Sequence, residues 1–212
     1  MLSKPTRETA LKYISDRGWP LQLPAILALR DDSVGLDEWK EWLCAISDTE
    51  FHATPGTTNP GRAPMERTGS IGVNSQGVAR VSEGFALDVF YPGWHGDGGT
   101  NRAHPCWRQC DGQRGTERKP LMIERWQGGS WKAITLAAIG PFNFHRALQR
   151  TAAIRVGHFS HGCLVVQHLL DHWLMCQLLG YPEHGPTLEQ SATLRASLYI
   201  VNVSPGASHA DL

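Results

Sequence analysis

No stretch of this 212-residue chain is apolar for long enough to cross a bilayer as a helix. The first twenty residues, MLSKPTRETALKYISDRGWP, also lack the apolar h-region of a secretory signal. The chain is therefore expected to be made in the cytoplasm, without a membrane partner. An excess of charge of either sign is missing too. Lys+Arg and Asp+Glu both number 20, and they are spread along the sequence. Electrostatic capture of nucleic acid is not expected from such a balance. The cysteines, Cys44, Cys106, Cys110, Cys163 and Cys176, are odd in number, which argues against a fully paired disulfide framework. Without a secretory leader, free thiols are the default. There is no internal repeat and no low-complexity tract.

What is present is enough for a folded domain of moderate size. Hydrophobic residues make up 41% of the chain, sufficient for a buried core. Gly and Pro crowd between residues 55 and 141, which favours short strands and many turns over long helices. Residues 1–48 read as an N-terminal helical segment. TRETALKYIS and LDEWKEWLCAIS both space their apolar residues by three and four. Pro20 and Pro24 end the first helix, and Ser33 or Asp37 could cap the second. GVARVSEGFALDVFYPGWHG alternates as two strands around Glu83-Gly84, while GDGGTNRAHPCWRQCDGQRG reads as a polar loop. KPLMIERWQGGSWKAITL reads as a hairpin turning at Gly128-Gly129. Residues 164–180 read as a helix closed by Gly180 and Pro182. ASLYIVNV gives a last strand, and residues 204–212 form a flexible tail. The expected fold class is α+β: a β-rich mixed sheet or sandwich over residues 49–203, with N-terminal helices and a helix after Cys163.

One stretch carries chemistry. FNFHRALQRTAAIRVGHFSHGCLVV, residues 142–166, places Cys163 after Ser160-His161-Gly162 and downstream of His145. A cysteine attacks as thiolate and so needs a base beside it. A histidine supplies that base when its other ring nitrogen is held by a carboxylate or a backbone carbonyl. Backbone N–H donors must also meet the oxyanion, and Gly162 gives an uncrowded backbone for them. The plain alternative is a small buried hydrophobe ahead of an apolar run. The histidine at matching spacing favours the catalytic reading.

The pattern His145 … Ser160-His161-Gly162-Cys163 resembles the signature of the L,D-transpeptidase (YkuD-like) catalytic domain. Fourteen residues lie between His145 and Ser160, within the range of that signature. The resemblance implies that Cys163 is the nucleophile and His145 the general base. It further implies that the Arg146 carbonyl orients the imidazole, that His161 supports it, and that the Gly162 and Cys163 N–H groups bind the oxyanion. Segments Phe51 to Pro60, Trp94-His95-Gly96, Gly140 to Arg146 and Ser160 to Cys163 also resemble a phage-encoded group related to that domain. Trp94 and His95 are thereby candidates for substrate contact. His158 lies outside the pattern and reads as structural or substrate-facing. Two departures are Val165, where the family carries Arg or Asn, and the HRAL after the base, which lacks a common glycine.

The resemblance implies a fold of L,D-transpeptidase type and peptide stems of peptidoglycan as the partner. No cofactor is expected. Hydrolysis by a lysis enzyme or delivered toxin, acting at the cell wall after release or delivery, is the first expectation. Cross-linking by transpeptidation is the alternative, and so is a wall-binding or phage structural module with a decayed site. Two further groupings point elsewhere. His95, His104, Cys106 and Cys110 could hold a metal or, for the cysteines, pair; a packed loop is the simpler reading. His168 and His172 stand four apart on the expected helix, where an exposed polar face is the simpler reading. Trp107, Trp126 and Trp131 are expected mostly in the core.

Overall fold

Strand β1, Ala25–Arg30, is buried at every position. A run without polar breaks needs cover on both faces and pairing on both edges. The computed structural model supplies all four, and it describes residues 2–33, 37–61, 77–96, 103–138, 142–147, 155–156, 160 and 162–203. On one edge β1 pairs in parallel with β11, Ala196–Asn202, matching Leu27 to Tyr199. On the other it pairs antiparallel with β2, Glu41–Ile46, matching Leu27 to Cys44.

The chain runs through helix α1 (Arg7–Ser15), β1, β2, β3 (Phe51–Thr57), β4 (Ala79–Val81), β5 (Gly84–His95) and β6 (His104–Gln109). It continues through β7 (Leu121–Gln127), β8 (Ser130–Ala138), β9 (Asn143–Arg146), β10 (Leu164–Val166), α2 (Leu169–Leu178), α3 (Leu188–Thr193) and β11. Eight strands close into a barrel in the order β1-β11-β5-β6-β9-β10-β3-β2, and β4-β7-β8 form a separate three-stranded sheet. The protein is a β-rich α+β structure with few helices and mixed strand directions.

Alternation along the strands splits the apolar side chains into two layers. Ile26, Ala28, Leu43, Ala45, Leu198 and Ile200 join Phe90, Trp107, Phe144, Leu164 and Val166 in the larger core, which α2 extends with Met175 and Cys176. Leu27, Leu29, Cys44, Ile46, Tyr199 and Val201 pack instead with Ala10, Tyr13 and Ile14 of α1. The cap of α1 is a local signal: Thr6 Oγ1 accepts from Thr9 N at 3.2 Å.

Three expectations need correction. The second N-terminal helix is absent, because EWLCAI is β2 and pairs with both β1 and β3. Two-sided pairing and burial override a helical spacing that was weak to begin with. Residues 1–48 are accordingly no helical layer; α1 is their one helix among the described residues, and they give the barrel two strands. The segment around HPCWRQ is strand β6 rather than loop, since it pairs along its length with β5. The run after Cys163 also begins as strand, and α2 starts at Leu169.

A buried ionic network ties the barrel to the small sheet. Arg30, fully buried, donates to Thr58 Oγ1 at 2.8 Å and to the Val81 carbonyl at 2.6 Å. Burial pushes its pKa down to about 10, so it stays charged at neutral pH. Glu41 accepts from Thr58 N and from the Asn59 amide. Arg80 reaches Glu124 at 2.5 Å, Asp32 at 2.7 Å and Asn59 Oδ1 at 2.9 Å, with its guanidinium 4.4 Å from the Trp131 ring centroid. Removing one member of such a network strands the others without water. Arg80→Ala is expected to lower stability by about 3–5 kcal/mol, measured by urea denaturation. A loss below about 1 kcal/mol would mean that the network behaves as a solvated surface pair.

Candidate functional site

Parallel pairing of β9 with β10 brings the two halves of the sequence motif together. Leu164 lies beside Phe144, Val165 beside His145 and Val166 beside Arg146. One step further back, Cys163 falls beside Asn143, whose N–H points at the sulfur with N and Sγ 3.5 Å apart. Matched residues in a strand pair share a face and alternate residues return to it. Cys163 and His145 therefore project from one face as diagonal neighbours. Val165 shares that face and is fully buried against Trp39, Ala147 and Val156, with Cys163 packed on the group.

The loop that presents Cys163 is held by Ser160. Its hydroxyl accepts from Gly162 N at 3.1 Å and donates to the Cys163 carbonyl at 3.0 Å. Its own carbonyl accepts from Gly61 N at 3.1 Å. Gly162 sits at φ +117°, and a methyl group there would collide with the Ala79 carbonyl oxygen and lie 3.2 Å from the Phe142 ring. No side chain fits that position. The Gly162 N–H is already engaged by Ser160, so the expectation that it faces an oxyanion is not met in this geometry.

His145 is buried, and its Nδ1 lies 3.0 Å from the Arg146 carbonyl oxygen. A carbonyl can only accept, so Nδ1 carries the proton and Nε2 of the neutral ring is left as the basic nitrogen. Burial, then the His95 and His104 rings, holds the His145 pKa well below the usual histidine value. Cys163 keeps partial exposure as a residue, but its thiol is enclosed. Desolvation pushes that thiol up to about 11, opposed by the Asn143 N–H. At neutral pH the pair is thus a thiol and a neutral imidazole, with no preformed thiolate–imidazolium pair.

No family model, no curated protein and no solved structure matches this chain. The site must stand on its own geometry.

Among the other expected residues, His95 is brought to His145. Its ring stacks on His145 at 4.1 Å with 6° between planes. Trp94, on the alternate face of β5, packs against Gly185 instead. His158 and His161 lie outside the described residues. The Arg146 side chain bonds back to the Ala147 carbonyl at 3.0 Å. None of the five cysteines forms a disulfide, Cys106 and Cys110 included. Among the described residues, no group of three or more His, Cys, Asp or Glu is arranged to hold a metal. No helix among them is long and apolar enough to cross a membrane.

His104 and His172, which sequence reasoning did not join to His145, complete a largely buried imidazole cluster. His104 lies 5.0 Å from His95, 5.8 Å from His145 and 6.3 Å from His172, ring to ring. His172 is not on an exposed face as expected; it is buried, with Nε2 3.5 Å from Cys176 Sγ. Its place on an otherwise apolar stripe of α2, beside Met175 and Cys176, was the available signal. Asn143 was also missed, although it shares the period-two face of His145.

This cluster makes stability depend on pH. Burial, then His104 and Arg146, pushes the His172 pKa down to about 3, and His145 is lowered as well. Their folded values lie below the unfolded value of ~6.5, so the unfolded chain binds protons first. The stability is present above pH ~6.5 and is lost as pH falls toward 3. Unfolding free energies from urea titrations at pH 7, 6, 5 and 4 are expected to fall steadily, by a few kcal/mol in all, and His172→Leu is expected to flatten the slope. An unchanged free energy down to pH 4 would show that the cluster protonates freely while folded.

Proposed function

We propose that this chain is a peptidoglycan-processing cysteine enzyme that acts on peptide stems through a Cys163 acyl-enzyme, with water as the final acceptor. The reading rests on one observation: His145, its Nδ1 fixed on the Arg146 carbonyl, shares a strand-pair face with Cys163. That arrangement has the nucleophile, the base and the group that orients the base. The substrate comes from resemblance alone. The pattern His145 … Ser160-His161-Gly162-Cys163 resembles the signature of L,D-transpeptidase domains, whose substrates are the stems, cut on the L,D side after a residue such as diaminopimelate.

In this mechanism the Cys163 sulfur bonds to the stem carbonyl carbon while its proton passes to His145 Nε2. The tetrahedral intermediate collapses, the C–N bond breaks, and His145 returns the proton to the leaving amine. Water then attacks the thioester with His145 again as base, releasing the acid and the free thiol. Val165 supports water over an amine acceptor. It is a buried apolar residue on the face of Cys163, where the family carries Arg or Asn. An enzyme of this kind would act at the bacterial cell wall, as a lysis enzyme or a delivered toxin. A second reading, a wall-binding or phage module with a decayed site, draws on the raised Cys163 thiol.

Mass spectrometry of purified stem peptides incubated with wild type, Cys163→Ala and His145→Gln separates these readings. Wild type is expected to shorten stems by hydrolysis, Cys163→Ala to leave them intact, and His145→Gln to work at least about 100-fold more slowly. Joined stems would replace hydrolysis with cross-linking. Stems untouched by wild type would leave the module reading in place of the enzyme.

A further inference from the structure

Trp39 lies just before β2 and forms a small cluster with Ala147, Val156 and Val165, against which Cys163 packs. It is 6% exposed, and its indole Nε1 is a buried donor with no hydrogen-bond partner. An unmade buried N–H costs free energy, and buried tryptophans normally find an acceptor for it. A phenylalanine would fill an apolar cluster without that cost. The other buried members of that cluster are Ala147, Val156 and Val165, whose side chains accept nothing. Cys163 is the one member of the group whose side chain can, and sulfur becomes a strong acceptor only as thiolate.

We propose that Trp39 is a donor held for the Cys163 thiolate, closing its N–H on the sulfur when the thiol ionises. The proton leaves to His145 Nε2, and the charge left on sulfur is met by two N–H groups, those of Asn143 and Trp39. This inference rests on the cysteine-enzyme reading of Cys163. It assigns a role to a residue that neither the motif nor its resemblance includes. Several charged side chains described near the cluster are engaged elsewhere. On the Trp39 segment, Glu38 and Lys40 pair with each other at 2.7 Å, and the Asp37 carbonyl accepts from Val156 N at 3.4 Å. Arg80 on β4 is taken by Glu124 and Asp32, and Arg146 on β9 by the Ala147 carbonyl. Arg155 flanks Val156. On β10 the neighbours Leu164, Val165 and Val166 are uncharged.

The test reads the thiol directly. Alkylation of Cys163 by iodoacetamide, located by peptide mass spectrometry, is followed from pH 7 to 11 in the full chain. Three variants accompany it: Trp39→Phe, the chain with benzothienylalanine at position 39, and Val156→Ala. Benzothienylalanine keeps the bicyclic shape without the N–H, so it serves if the phenylalanine variant fails to fold. Loss of the donor is expected to move the profile upward and slow alkylation at pH 8 about tenfold. Val156→Ala, which loosens the same cluster but keeps the donor, is expected to leave the profile in place. A profile unmoved by loss of the N–H overturns the inference, and so does an equal shift in Val156→Ala. Stem cleavage is assayed on the same samples. A shifted profile in a protein that leaves stems intact removes the enzyme reading but keeps the donor role.

Discussion

Two arginines sealed from solvent, Arg30 and Arg80, sit where the barrel meets the three-stranded sheet, and their carboxylate and amide partners come from four separate segments. Neither charge could persist there alone. Their partners include Asn59 and Thr58 at the end of β3 and Glu124 on β7, with Glu41 completing the set from β2. The network therefore fixes the loop after β3 and the position of β4. Both touch the cysteine loop. Gly61 N holds the Ser160 carbonyl, and the Ala79 carbonyl, next to Arg80, closes over Gly162. A set of charges away from Cys163 thus helps decide where its thiol stands.

The site held in this way is set for neutral species. Burial raises the thiol and lowers His145, and the stacked His95 and nearby His104 add to the second effect. The largest cause of each shift is the same, the absence of water to solvate a charge. The orientation of His145 through Arg146 costs nothing extra, because the acceptor is the backbone of the next residue on the same strand. Reaction at such a site depends on donors that meet charge as it forms. The Asn143 N–H is one already in place.

How far could the sequence be read? Elements with clean alternation and a marked turn came out as written, such as the β7–β8 hairpin around Gly128-Gly129 and the last strand over ASLYIVN. Two failures share a cause. EWLCAI has apolar residues at helical spacing, and HPCWRQ is polar and proline-bearing, yet both are central barrel strands because partners on each side take their backbone groups. Pairing between distant segments has no local signature. The same limit hid Trp39. Read on a helix it had no relation to Cys163, and only the folded chain puts it in the cluster that Cys163 packs against.

The sequence alone determined the pieces of the candidate site, because a nucleophile, a base and a Ser-His-Gly lead-in are matters of residue type and spacing. It also determined the β-rich class, through its glycine and proline usage and its short alternating runs. Tertiary structure decided the rest. It closed the barrel and set His145 and Cys163 on one face of parallel strands. It also gathered four histidines from β5, β6, β9 and α2, and it engaged the Gly162 N–H with Ser160. Those outcomes depend on desolvation and on which backbone groups remain unpaired, and both are properties of the assembled chain.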